Sequence, residues 1–108
     1  MIRYSCPYLK SDVELTEERA KHIAERHPDL LPEHLDLIAE ALKSPDQIRK
    51  SARFGNARLF SRHYNDLRQG KHVVVVVVSG LGPNERHWII TAYMARKLAE
   101  GEIEWKRD

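Results

Sequence analysis

Apolar residues change their spacing once along this chain, from helical intervals in the first part to strand-like alternation in the second. In "ELTEERAKHIAERHPDL", Ala20, Ile23 and Ala24 form a narrow stripe at helical spacing. Thr16 is placed to cap that helix, and Glu17 and Glu18 follow in its first turn, where free N–H groups and the helix dipole favour carboxylates. Pro28 stops the helix at or just before His27. A second helix is predicted from near Pro32 to about Lys43, with Leu35, Ile38 and Leu42 facing the core and "SPD" ending it.

From Asp46 onward the pattern reads as strands. "DQIRKSA" has the look of an edge strand, and "NARLFSRHY" follows with β-favouring and aromatic residues. "LRQG" turns the chain into "KHVVVVVVS", whose unbroken valines imply cover on both faces. "GLGPNE" is a turn by composition, "RHWIITAYMAR" is the fourth strand, and "GEIEW" is a short strand or a tail lying on the domain. The expectation is a single α+β domain over residues 1–108, with two N-terminal helices packed on one face of an antiparallel sheet of about four strands.

Composition adds limits. Hydrophobic residues make up 42% and charged ones 31%, the balance of a globular domain. Cys6 stands alone, which rules out an internal disulfide and a thiolate-built zinc site. No apolar stretch is long enough to cross a bilayer, so no membrane partner is expected and the cytoplasm is the expected compartment, with delivery into another cell open to a small toxin. Charge is segregated. Residues 1–46 hold six bases against ten acids (−4), residues 47–99 ten against two (+8), and the remainder two against four (−2). A strongly basic stretch beside an acidic one suits a polyanion, although a solvated face rich in lysine and arginine gives the same count.

Candidate chemistry centres on histidine. His22 and His27 are five residues apart, about 140° around a helix, so they do not converge on one ion; no metal and no cofactor are expected. His27 lies four residues after Ile23, where a half-buried histidine fixing the helix end is the simplest reading. His22 falls with Arg19 and Arg26 on a basic edge, either a solvated face or a phosphate-facing one with a group that titrates near neutrality. Strict alternation in "WIITAYMAR" places Trp88, Ile90, Ala92 and Met94 toward the helices and Thr91 and Tyr93 on the open face. Arg58 and Arg62 alternate with Phe60 and Tyr64, a cradle for phosphate and stacked bases. The sequence has no P-loop, no dinucleotide fingerprint and no nucleophile elbow. Histidine, arginine, threonine and tyrosine suit metal-free RNA cleavage, because RNA supplies its own nucleophile in the 2′-hydroxyl.

These pieces together resemble the phage-associated branch of the barnase/EndoU/colicin/RelE-like nuclease superfamily. The likeness runs from about Leu15 to Lys106 and rests on "HIAERHPD", "ALKSPDQI", "RLFSRHY", the valine strand and "IITAYMARKLAEGEIEWK". It implies a metal-independent RNA endonuclease of toxin type that leaves a 2′,3′-cyclic phosphate. The family's helix position falls on His22, with His27 adjoining, and its strand positions on Arg62, Thr91 and Tyr93. Arg19, Arg26, Arg58 and Lys97 are the expected RNA-binding cations, and the expected partners are RNA and an antitoxin or immunity protein. The sequence departs from the pattern in having neither barnase's strand glutamate nor the lysine-rich strand of RelE-type toxins. Two other readings stay open: a non-catalytic RNA- or protein-binding module on the same fold, and a structural protein of a phage or mobile element.

Overall fold

The valine run forms the middle of the molecule. In the computed structural model, which describes residues 1–66, 70–80 and 85–108, it is strand β5 (Lys71–Ser79), and Val73, Val74 and Val75 are fully buried. Its neighbours are β4 (Ala57–Tyr64) and β6 (His87–Ala95), both antiparallel to it. Beyond β4 lies β3 (Gln47–Lys50), then β7 (Ile103–Lys106). Beyond β6 lies β2 (Ser11–Leu15), then β1 (Ile2–Cys6), giving the order β1-β2-β6-β5-β4-β3-β7.

The expected fold is therefore corrected. Two strands precede the helices, the sheet has seven strands rather than about four, and it is mixed because β2 runs parallel to β6. "IRYSC" and "SDVEL" become strands because each turns two residues inward, Tyr4 with Cys6 and Val13 with Leu15, and a short 3-10 turn at Pro7–Leu9 folds one onto the other. "GEIEW" pairs with β3, so β3 is not an edge. The turns expected at "LRQG" and "GLGPNE" fall largely on residues 67–69 and 81–84, outside the described residues.

Helix α1 (Glu17–Arg26) begins as its sequence demands, with the Thr16 hydroxyl accepting from the Arg19 N–H at 3.2 Å. β2 meets β6 at one position, Glu14 opposite Trp88, and the chain then winds into α1, which packs against β6. Helix α2 (Leu35–Lys43) lies over β1, β4 and β5. Ile23, Ile38 and Leu42 from the helices meet Phe60, Val73, Val75 and Val77 in the main core. The opposite face holds a smaller cluster of Ala57, Leu59, Val74 and Val76, onto which Val78, Ile90, Tyr93 and Leu98 pack.

A register shift between Val76 and Val77 sets the faces of β6. Strict alternation would put Ile90 with Ala92; instead Ile89 joins Ala92 in the main core and Ile90 goes to the smaller cluster. The segment 96–102 crosses the helix-free face from β6 to β7. It is held there by Leu98 and by the Arg49 guanidinium, which donates to the Ala99 carbonyl at 2.8 Å. Among the described residues no helix is long and apolar enough to cross a membrane.

Candidate functional site

Five strand termini meet at one end of the sheet: the start of β3, the end of β4, the start of β5, the end of β6 and the end of β7. Helix α2 ends there too, since Arg62 of β4 donates to the Ser44 carbonyl just past it. So does α1, because the ring of its C-cap residue His27 lies 5.9 Å from the ring of Tyr93. Lys43, Arg62, Lys71, Arg96, Lys106 and Arg107 stand at or next to these ends. Of these, Arg62, Lys71 and Arg96 belong to the basic stretch 47–99 and the other three lie outside it, while Arg58 and Arg86 of that stretch stand at the opposite end of the sheet.

On the helix-free face of this end, the antiparallel register sets His63 of β4 directly opposite His72 of β5. Their rings meet edge to face with centroids 4.7 Å apart. Tyr93 stands opposite Val74, one step diagonally from His72, a separation of about 7–8 Å between backbones. Thr91 lies two residues further along the same face, opposite Val76. The His72 Nδ1 atom is buried and has no hydrogen-bond partner among the described residues. Burial, then His63, lower the pKa of His72; Asp46 opposes that shift and the Arg49 charge adds to it. At neutral pH His72 is an uncharged imidazole, able to accept a proton. Burial raises the pKa of the Tyr93 phenol, which stays protonated and can donate.

Asp46 ties this face to the other. One of its carboxylate oxygens accepts the His63 backbone N–H at 2.6 Å, and the other lies 3.5 Å from the Arg107 guanidinium on the helix side. Among the described residues, no three His, Cys, Asp or Glu side chains come together as a metal site.

The structure groups some of the sequence-derived residues and separates others. His27 and Tyr93 are brought together, with Thr91 on the same strand face. Arg62 is at the same end but on the helix side, donating to the Ser44 carbonyl at 2.6 Å and lying 5.7 Å from the centre of the Tyr64 ring. Arg58 flanks buried Phe60 at the far end of β4, paired with Glu104 at 2.8 Å. The two arginines share a face but not a cradle. His22 lies with Arg19 in a shallow depression on the surface of α1, between Glu18 and Glu25, so the basic edge is interleaved with acids. Arg26 is exposed at the last turn of α1, and Lys97 is exposed on the crossing segment.

His63 and His72 were left without a role by sequence reasoning. Each sits near the end of its strand, in "RHY" and "KHV", and it is the register between β4 and β5 that sets them opposite one another. Comparison with known proteins found no matching family model, no matching curated protein and no matching solved structure.

Proposed function

We propose that the protein is a metal-independent ribonuclease of toxin type, acting where Tyr93, whose ring lies beside His27, is the diagonal neighbour of His72 with His63 opposite it. The observation that supports it is the pairing of an uncharged, half-buried imidazole with a second imidazole on a face that also carries a protonated phenol.

In this reading His72 takes the proton of a ribose 2′-hydroxyl. The freed oxygen attacks the adjacent phosphorus, the bond to the 5′-oxygen breaks, and that oxygen receives a proton from His27. The products are a 2′,3′-cyclic phosphate and a 5′-hydroxyl. Tyr93 donates to a non-bridging oxygen, and Arg49 is a cation whose charge is felt at His72. His63 stands edge-on against His72 and lowers its affinity for the transferred proton, which favours passing that proton on. An inhibitor protein that neutralises the basic end is the expected partner.

The test is incubation with total RNA in excess EDTA from pH 5 to 8. Cyclic-phosphate ends are expected, and His72→Ala and Tyr93→Phe should each lower the rate about 10²-fold or more. RNA left intact across that range refutes the cleavage reading. Loss with His22→Ala but not with His27→Ala would instead move the reacting centre to the surface of α1. A second reading, RNA binding without turnover, is favoured by one observation: Arg62 and Arg58 are both engaged within the protein rather than free to clamp a phosphorane. It predicts salt-sensitive binding and no cyclic phosphate.

A further inference from the structure

On the helix side of the same end lies a cleft of about 700 Å³. Its floor is Ile48, its aromatic walls are Tyr8 and Trp105, and its cations are Lys43, Arg62 and Arg107. Neither the histidine face nor the proposed cleavage uses it. We infer that this cleft is a nucleotide site, taking an aromatic base against Tyr8 and Trp105 and a phosphate on Lys43, Arg62 and Arg107.

The chemistry of the walls selects that ligand. Arg62 and Arg107 both donate to the Ser44 carbonyl, at 2.6 and 2.7 Å, so two guanidinium groups are held within a few ångströms of each other. A helix C-terminus accounts for cations at its last carbonyls. Lys43, the last residue of α2, belongs with them, but a helix end does not account for a lining that includes no carboxylate among the described residues. Glu40 and Asp46, which lie 4.0 and 3.5 Å from the arginines, are engaged with the Tyr64 hydroxyl and the His63 N–H. Both carboxylates keep their charge but lie outside the lining, which itself presents three cations, so an anion is its complement.

The aromatic side argues for a base rather than for phosphate alone. Trp105 and Tyr8 each keep 37% of their surface exposed, and their rings are 6.4 Å apart and inclined at 55°. The Tyr8 hydroxyl is held by Glu104 at 2.6 Å and the Tyr8 ring also meets Phe60 edge-on, so this wall is fixed before a ligand arrives. Large, rigid, half-exposed rings beside cations are how proteins stack bases over a bound backbone. The volume lies within the range of small-ligand sites.

The same chemistry is offered by a free nucleotide and by one nucleotide of a single strand, and the test separates them. Trp88 is at the opposite end of β6, so Trp88→Phe leaves Trp105 as the sole indole and its fluorescence as the readout. Titrants are adenosine and guanosine 5′-monophosphate, the unphosphorylated nucleosides, inorganic phosphate, a 2′-O-methyl octamer that resists cleavage, and an octaglutamate. The nucleotides should give saturable quenching, binding at least about 10-fold more tightly than phosphate or nucleoside alone, as expected from stacking added to ion pairing. Lys43→Ala and Arg107→Ala should each weaken binding about 5-fold or more. Tighter binding of the octamer than of the monophosphates assigns the site to a strand, and equal binding assigns it to free nucleotide. No saturable change with either ligand, indifference to both cation variants, or octaglutamate binding as tightly as the octamer overturns the inference. The octamer cannot be cut, so failure of the cleavage reading leaves this result untouched.

Discussion

A methyl group added at Gly101 should damage the sheet far from any helix. A Cβ there would lie 2.3 Å from the Lys50 carbonyl oxygen and 3.5 Å from the Arg49 Cβ. The obstacle is backbone, so no rotamer relieves it, and the crossing segment must retreat by about 1 Å to reach ordinary contact. The Lys50 N–H now donates to the Glu102 carbonyl at 2.8 Å, and the Arg49 guanidinium to the Ala99 carbonyl at 2.8 Å. A retreat of that size takes both bonds beyond useful geometry, each at a cost of about 0.5–1.5 kcal/mol. Gly101→Ala should therefore lose about 2 kcal/mol, which for a domain near this size lowers the melting temperature by about 8–16 °C. Thermal denaturation followed by circular dichroism measures the loss. Hydrogen exchange should show the β7 amides opening before those of β5. A melting temperature within about 2 °C of wild type, with β7 protection intact, refutes the reasoning.

Four further outcomes follow from the same geometry. Phe60→Ala removes a fully buried ring between the sheet and α2 and should cost about 3–5 kcal/mol by urea unfolding. Thr16→Ala deletes the N-cap hydroxyl of α1 and should cost about 1 kcal/mol, with Thr16→Ser restoring most of it. His72 binds its proton less readily folded than unfolded, so the unfolded chain takes up more protons as pH falls through about 6.5 and stability declines from there until the folded ring titrates. Urea midpoints at pH 7.5, 6.0 and 5.0 should accordingly fall less steeply in His72→Asn than in wild type, and parallel curves would contradict the assignment. Tyr93→Phe should melt within about 1 kcal/mol of wild type while losing RNA cleavage, since the variant keeps the ring against His27 and removes only the hydroxyl.

The parts of the fold legible in the sequence are those where one physical rule acts alone. Thr16 with two glutamates behind it starts α1, Pro28 follows its end, and nine residues rich in valine make the central strand. β1 and β2 were not foreseen because each offers two inward residues among polar ones, a signal too short to stand against a loop reading. Ile90 could not be placed by alternation, since a bulge depends on the partner strand and not on β6 itself. The candidate site shows the same division. His27 and Tyr93, distant in sequence, were both marked as chemical residues and do meet; Arg62 was marked too, but strand parity puts it behind the sheet with Phe60. The His63–His72 pair depends on register across a connection, which composition does not encode.

Asp46 gives the two sides of the sheet a common wire. Its carboxylate favours the proton on His72 and is partly neutralised by Arg107 at 3.5 Å. An anion in the cleft that draws Arg107 toward itself unmasks that carboxylate, and His72 then holds its proton more firmly. Thermodynamic reciprocity turns the relation around: mild acid must tighten the grip on the anion by the same factor by which the anion raises the proton affinity of the imidazole.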